Sequence, residues 1–235
     1  MTYNIISTGS KGNAVVINGR ILIDCGVPFK ALEPVKKDLR LVLLTHIHSD
    51  HFNPRTARAL SKERPALRWG CCEWMVGPLL EAGVDKRRVD VISPYNSDDA
   101  ALYKGLAVVR PEFIPHNVPN CAWHIFDGKE HLFYATDTGT LEGIEAKSYD
   151  LYMIEANHTR ADLEARMEAK RAAGEFSYEW AAAQNHLSKE QAEEWLYQQM
   201  GPNSQYIFLH QHQGKGGGTA WNVTNLPFTA ASGRR

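Results

Sequence analysis

The chain has 235 residues, 43% of them hydrophobic and 23% charged, which is enough apolar material for the core of one medium-sized domain. The formal net charge is -1 and no long run of lysine or arginine occurs, so nothing in the overall balance advertises a protein whose whole surface tracks a phosphate backbone. The first residues lack a basic segment followed by an apolar core, and no stretch of about 18 apolar residues is present, so the expectation is a cytoplasmic protein with neither signal peptide nor membrane span.

In chain order, the first elements expected are two strands, 13–18 and 21–24, joined at Asn18-Gly19, a dipeptide suited to a type I′ turn because both central positions need positive φ. Residues 41–45 form a short apolar run that gives way to a dense polar segment, as in a buried strand whose carboxyl end delivers side chains to a site. From Phe52 to Pro115 the pattern mixes a helix after Pro54 with strands at 67–72, 89–92 and 107–114. Further strands are expected at 121–126, 131–135, 150–154 and 205–210, and the alternation indicates α/β layering. Residues 161–174 and 178–184 are rich in helix formers with little core periodicity and read as surface helices. Ser188 with Gln191 forms a capping-box pattern and Gly201-Pro202 a stop, so 188–200 is a helix. The division expected is one domain, 1–213, followed by a Gly-rich tail, 214–235. Cys25, Cys71, Cys72 and Cys121 lack the spacing of a disulfide framework and read as reduced thiols.

The segment Thr45-His46-Ile47-His48-Ser49-Asp50-His51 gathers three imidazoles and a carboxylate behind a hydrophobic strand. Neutral imidazole and carboxylate are the usual ligands of zinc and related divalent ions. The string is similar to the signature of the metallo-β-lactamase superfamily, and other motifs of that superfamily have counterparts in the same order. These are Asp24 after a strand, His116 after Pro115, Asp137 in Tyr134-Ala135-Thr136-Asp137-Thr138-Gly139, and His210 at the end of the last strand. The resemblance implies an α/β fold, the metallo-β-lactamase-like αβ/βα four-layer sandwich. It also implies a site with two divalent metal ions: His46, His48 and His116 hold one, Asp50, His51 and His210 the other, and Asp137 bridges them. Zinc is the expected metal, with manganese or iron as alternatives. His124 and His131 compete with His116 for its place, and His212 with His210; Asp24 either buttresses the loop or caps backbone donors.

Ser7-Thr8-Gly9-Ser10-Lys11-Gly12-Asn13, Glu155-Ala156-Asn157-His158 and Asn185-His186-Leu187-Ser188 resemble motifs of the YycJ branch, a group related to ribonuclease Z and associated with exonuclease activity. The chain departs from that branch at Asn117, where an acidic residue is usual, and in His210-Gln211-His212-Gln213. The resemblance implies a metal-dependent hydrolase in which a water between the ions is activated, Asp50 takes its proton, and His186, oriented by Glu155, supports the leaving oxygen. The substrate expected is nucleic acid or a nucleotide. A hydrolase of cyclic nucleotides, thioesters or lactones, or a metal-binding module without catalysis, are the rival readings.

Overall fold

The computed structural model describes residues 1–175 and 184–211. Among the described residues, twelve strands form two six-stranded sheets. The first runs β1 (Tyr3–Ser7), β2 (Ala14–Ile17), β3 (Ile21–Ile23), β4 (Leu41–Leu43), β5 (Arg68–Cys71), β6 (Val89–Val91) in spatial order. The second holds β7 (Ala101–Tyr103), β8 (Ala107–Ile114), β9 (Asn120–Phe126), β10 (His131–Ala135), β11 (Leu151–Glu155) and β12 (Gln205–Leu209), again as spatial neighbours in sequence order. Asn18 and Gly19 both take positive φ, 49° and 67°, and turn β2 back on β3 as their sequence requires.

Three apolar layers hold the sandwich together. Val15, Ile17, Ile21 and Ile23 of the first sheet meet Trp123, Leu132, Tyr134 and Met153 of the second in the core between the sheets. Leu22, Val42 and Trp69 point the other way, against Leu60 of α1 (Pro54–Glu63) and Leu79 of α2 (Val76–Glu81). On the far side of the second sheet, Phe133, Tyr152 and Ile154 pack under Trp195 and Leu196 of α4 (Lys189–Gln199). The strict in-out alternation of strand side chains therefore produces helix, sheet, sheet and helix layers, the four-layer sandwich expected. α3 (Arg160–Ala172) buries only Leu163 and is a surface helix. Ser188 caps α4 through the full reciprocal capping box.

Three elements were not foreseen. β1 and β7 are edge strands with half-exposed residues, and α2 is a short helix containing Gly77 and Pro78, so none carries a strong periodic signal. The hairpin accordingly comes second, after β1. The helix expected over 178–184 falls almost wholly, and the tail 214–235 entirely, outside the described residues. All four cysteines are free and buried. No helix among the described residues is long and apolar enough to cross a membrane.

The pairing places the site. β3 and β4 run parallel, as do β10, β11 and β12, and two antiparallel steps through β9 give β8 the direction of β10. The carboxyl ends of β3 and β4, and those of β8, β10, β11 and β12, thus each gather at one end of their sheet, where ligand sites of α/β sheets form.

Candidate metal centre

The loop after β4 is held by one carboxylate. Asp24, completely buried one residue beyond β3, accepts hydrogen bonds from the Thr45 backbone N–H at 2.9 Å, from the Thr45 hydroxyl at 2.9 and 3.0 Å, and from His51 Nδ1 at 2.7 Å. Both ends of the His46–His51 string are tied to the same side chain. The Thr45 hydroxyl spends its proton on Asp24, so toward His46 Nδ1, 3.0 Å away, it acts as acceptor. Asp24 therefore holds the Nδ1 hydrogen of both rings, that of His51 directly and that of His46 through Thr45, and turns the Nε2 atom of each inward. Both rival readings of Asp24 hold at once: it caps a backbone donor and it orients the loop. Gly26 follows, and a Cβ there would overlap the Asp50 carbonyl, so the loop lies against bare backbone.

Two groups of donors converge beyond this loop. In the first, His48 Nδ1 lies 3.2 Å from His46 Nε2 and 3.3 Å from His116 Nε2, and Asp137 Oδ2 is 3.8 Å from both outer nitrogens. His116 donates its Nδ1 hydrogen to the Asn185 carbonyl at 3.1 Å, so its Nε2 also carries a lone pair. An ion with bonds of about 2.0–2.1 Å to tetrahedral imidazole ligands separates them by roughly 3.3 Å, the spacing of these nitrogens. In the second group, Asp137 Oδ1 is 3.2 Å from His51 Nε2 and 3.1 Å from His210 Nδ1, while Asp50 Oδ2 is 3.7 and 3.6 Å from the Nε2 atoms of the same two rings. Asp137 belongs to both groups, and the donor atoms of each lie within 4.8 Å of one another. The chemistry of both donor sets fits divalent cations.

The electrostatics of the two groups differ. Burial holds His46 well below the usual imidazole range and takes His116 to about 4, so both are neutral bases. Burial pulls His51 and His210 down as well. The carboxylates of Asp137 and Asp24 overcome it and hold His51 well above the ordinary range, and those of Asp50 and Glu155 carry His210 to about 9. Burial raises Asp137, but His51 and the neighbouring imidazoles outweigh it and keep that carboxyl well below its ordinary value.

Backbone strain marks the strand ends. Asp24 and His210 follow directly on β3 and β12, and Asp137 stands two residues beyond β10; all three are in the left-handed region, with φ of 59°, 50° and 57° respectively. Such conformations are uncommon outside glycine and cost energy that surrounding contacts must offset. Asn120 supplies two of those contacts, donating to the Thr136 and Asp137 carbonyls at 2.9 and 2.7 Å. Thr8 supplies another, its hydroxyl accepting the His210 N–H at 2.7 Å.

Glu155 and His186 stand beside the second group. Glu155 is completely buried; Oε1 accepts from the Thr138 and Leu187 N–H groups at 2.6 and 3.1 Å, and Oε2 lies 2.9 Å from His186 Nδ1 and 3.5 Å from His210 Nδ1. Burial raises its pKa, but hydrogen bonds from His186 and His210 prevail and keep the carboxyl ionised. It does not line the cleft, and with Asp137, His186 and His210 it forms a third group whose donor atoms lie within 4.8 Å of one another. His186 lines the open cleft with His48, Asp50, His116 and His210; the cleft measures about 370 Å³, and Ser10, Asn117 and Gln211 are among its walls.

All nine residues singled out in the sequence lie in or directly behind this cluster. The rivals do not. His124 is held by Glu112 at 2.6 Å and by the Tyr149 hydroxyl at 2.9 Å on the outer face of the second sheet, and His131 stacks on Phe126. His212 lies outside the described residues. Sequence reasoning missed Asn13, whose Nδ2 is 2.8 Å from His51 Nε2 and 3.2 Å from the Asp50 carbonyl, and it missed Asn120 and Thr8. The Gly-rich run 7–13 was the available signal for Thr8 and Asn13; Asn120 offered none.

The sequence matches the family model described as the beta-lactamase superfamily domain over residues 19–210. Among curated proteins there is no significant match. Solved structures share the architecture at low identity. The metallo-beta-lactamase fold protein YhfI from Bacillus subtilis is 16% identical, with a TM-score of 0.66 over 89% of this chain and 85% of that one. Human tRNase Z, short form, is 15% identical, with 0.65 over 91% and 93%. Zn(2+)-bound PqqB from Methylobacterium extorquens is 12% identical, with 0.66 over 90% and 89%. At such identities the likeness is one of fold.

Proposed function

The chain belongs to the beta-lactamase superfamily, and on that premise we propose that it is a two-metal phosphodiesterase acting on the ends of nucleic acid, in the manner of a YycJ-like exonuclease. The observation that carries the reading is the buried Glu155 carboxylate 2.9 Å from His186 Nδ1, which turns the rest of that ring toward the cleft shared by both donor groups. A thioester expels a thiolate, which leaves without a proton donor, whereas the alkoxide leaving a phosphodiester gains from a carboxylate-backed imidazole. The fold shared with human tRNase Z supports the same choice.

His46, His48 and His116 would hold one divalent cation and Asp50, His51 and His210 the other, with Asp137 common to both. When bound, such ions act as Lewis acids and bring the pKa of a held water toward neutrality. Asp50, partly open to the cleft, is placed to take the proton of the attacking water; burial raises its pKa, but the hydrogen bond from His210 outweighs this and keeps the carboxylate ionised. With its Nδ1 hydrogen committed to Glu155, a protonated His186 carries its second hydrogen on Nε2. That hydrogen passes to the departing ester oxygen. The neutral side chains of Ser10, Asn117, Asn157 and Asn185 orient the substrate through hydrogen bonds.

The cleft wall contains no lysine or arginine among the described residues. A long duplex gripped by its phosphates needs such charges, so this favours a chain end or short oligonucleotide, and it also keeps a second reading in view, a hydrolase of cyclic nucleotides or small esters. Zinc is the proposed metal, with manganese the first alternative. The deciding assay is turnover by purified protein, loaded with zinc or manganese, on single-stranded DNA, RNA, a cyclic nucleotide, a thioester and a lactone. Phosphodiester turnover lost in His48→Ala and strongly reduced in His186→Ala is the expected result. Full phosphodiester activity in His186→Ala removes the leaving-group role, and turnover confined to thioester or lactone removes the nuclease reading.

A further inference from the structure

A second cavity, of about 440 Å³, lies between α3 and the ends of β11 and β12, and it adjoins the metal cleft: Asn157 and Gln211 line both. Its volume falls in the range of small-ligand sites, about 300–1,000 Å³. Because Ile207 and Leu209 point into the core between the sheets, the alternation of β12 turns Phe208 outward, where its half-buried ring forms one wall. The facing wall is thin. α3 presents Ala165 and Ala169, four residues apart on one helix face, and any longer side chain at either position would occupy the space. Arg166 and Lys189, the latter 3.6 Å from Glu193, bring positive charge to a cavity whose one carboxylate among the described lining residues is Asp162.

An aromatic wall opposite two methyl groups accepts a flat apolar body, and two cations beside it accept an anion attached to that body. A nucleotide combines both. We propose that this cavity is the subsite for the nucleotide next to the scissile phosphate, with its base against Phe208 and its phosphate near Arg166 and Lys189. The charges absent from the metal cleft would thus be supplied one nucleotide away, so that the substrate is read as at least a dinucleotide. This inference rests on the phosphodiesterase reading of the adjoining site.

The test compares adenosine 5′-monophosphate with inorganic phosphate as ligands of the metal-loaded full chain, by calorimetry, in the wild type, Ala169→Trp and Arg166→Gln. Residue 169 is exposed on a surface helix, so the tryptophan fills the cavity without entering a core. Base stacking carries sizeable, sequence-tolerant affinity at such platforms. The nucleotide is expected to bind the wild type about tenfold or more tighter than phosphate. Ala169→Trp should erase that difference while leaving phosphate affinity alone, and Arg166→Gln should reduce it severalfold. Equal affinities in the wild type, or an Ala169→Trp chain that still prefers the nucleotide, overturn the subsite. Hydrolysis of bis(p-nitrophenyl) phosphate by the same wild-type sample is read separately. If it is absent while the nucleotide preference is present and sensitive to Ala169→Trp, the phosphodiesterase reading fails and the subsite stands.

Discussion

The two donor groups share Asp137 and sit side by side, yet they are built from different chemistry. His46, His48 and His116 bring three imidazoles to a single carboxylate, and burial keeps His46 and His116 neutral at pH 7, each with a single ring hydrogen. Asp50, His51 and His210 bring a second carboxylate, and in that company the two imidazoles hold their protons instead. The contrast teaches that ligand type alone does not set readiness for a cation. A neutral cluster needs a cation only for its lone pairs, whereas a charge-balanced cluster must first give up protons.

The largest effect should come from removing what the two groups share. Asp137→Ala is expected to empty both, lowering metal content by mass spectrometry from two ions toward none and activity on the order of a thousandfold. If one ion remains fully bound, the groups are independent and the shared carboxylate is less central than its position indicates. Next, His186→Ala should cut kcat about a hundredfold or more while both ions stay in place, because His186 stands outside both groups. Loss of an ion in that variant would move His186 into the second group, whose Asp137 and His210 it neighbours.

A smaller effect is expected for Asp24→Asn, about ten- to a hundredfold in metal affinity, since it disturbs the tautomers of His51 and His46 without removing a donor. An unchanged affinity would show that the imidazoles find their orientation without it. The smallest and most discriminating test is pH. His210 titrates at about 9 and His51 is raised, so metal uptake by the second group displaces protons at pH 7 and its affinity should climb by up to about tenfold per unit per proton as pH rises toward 9. The first group, with His116 at about 4, should be nearly flat over the same span. Calorimetry in buffers of different ionisation enthalpy counts the released protons at each step, and equal release at both steps would erase the contrast.

The two groups were also unequally legible. His46, His48, Asp50 and His51 announce themselves because a single short loop carries them, so local spacing is enough. His116 reaches His48 across 68 residues of sequence, and only its place after an apolar run, in the loop-like Pro115-His116-Asn117-Val118-Pro119, favoured it over His124 and His131. What separates them is register: His124 lies within β9 with its ring on the outer face, while His116 follows the end of β8. Asn120 stayed hidden because its partners are backbone carbonyls, which have no sequence signature, and Asn13 because His51 and the Asp50 carbonyl lie 38 and 37 residues away. The strands of the buried core were readable from apolar runs, whereas β1 and β7 were not, since neither has a fully buried residue to mark an apolar face.

The hydrogen bond from the His210 N–H to the Thr8 hydroxyl joins the first loop of the chain to the last described strand, across 202 residues. A contact of such sequence separation is slow to form, because its loop-closure cost falls due before any reward. The His46–His51 loop supplies donors to both groups, but the last donor of the second, His210, lies 159 residues beyond His51. The second donor group is therefore complete only once β12 has docked and the last described turn has met the first.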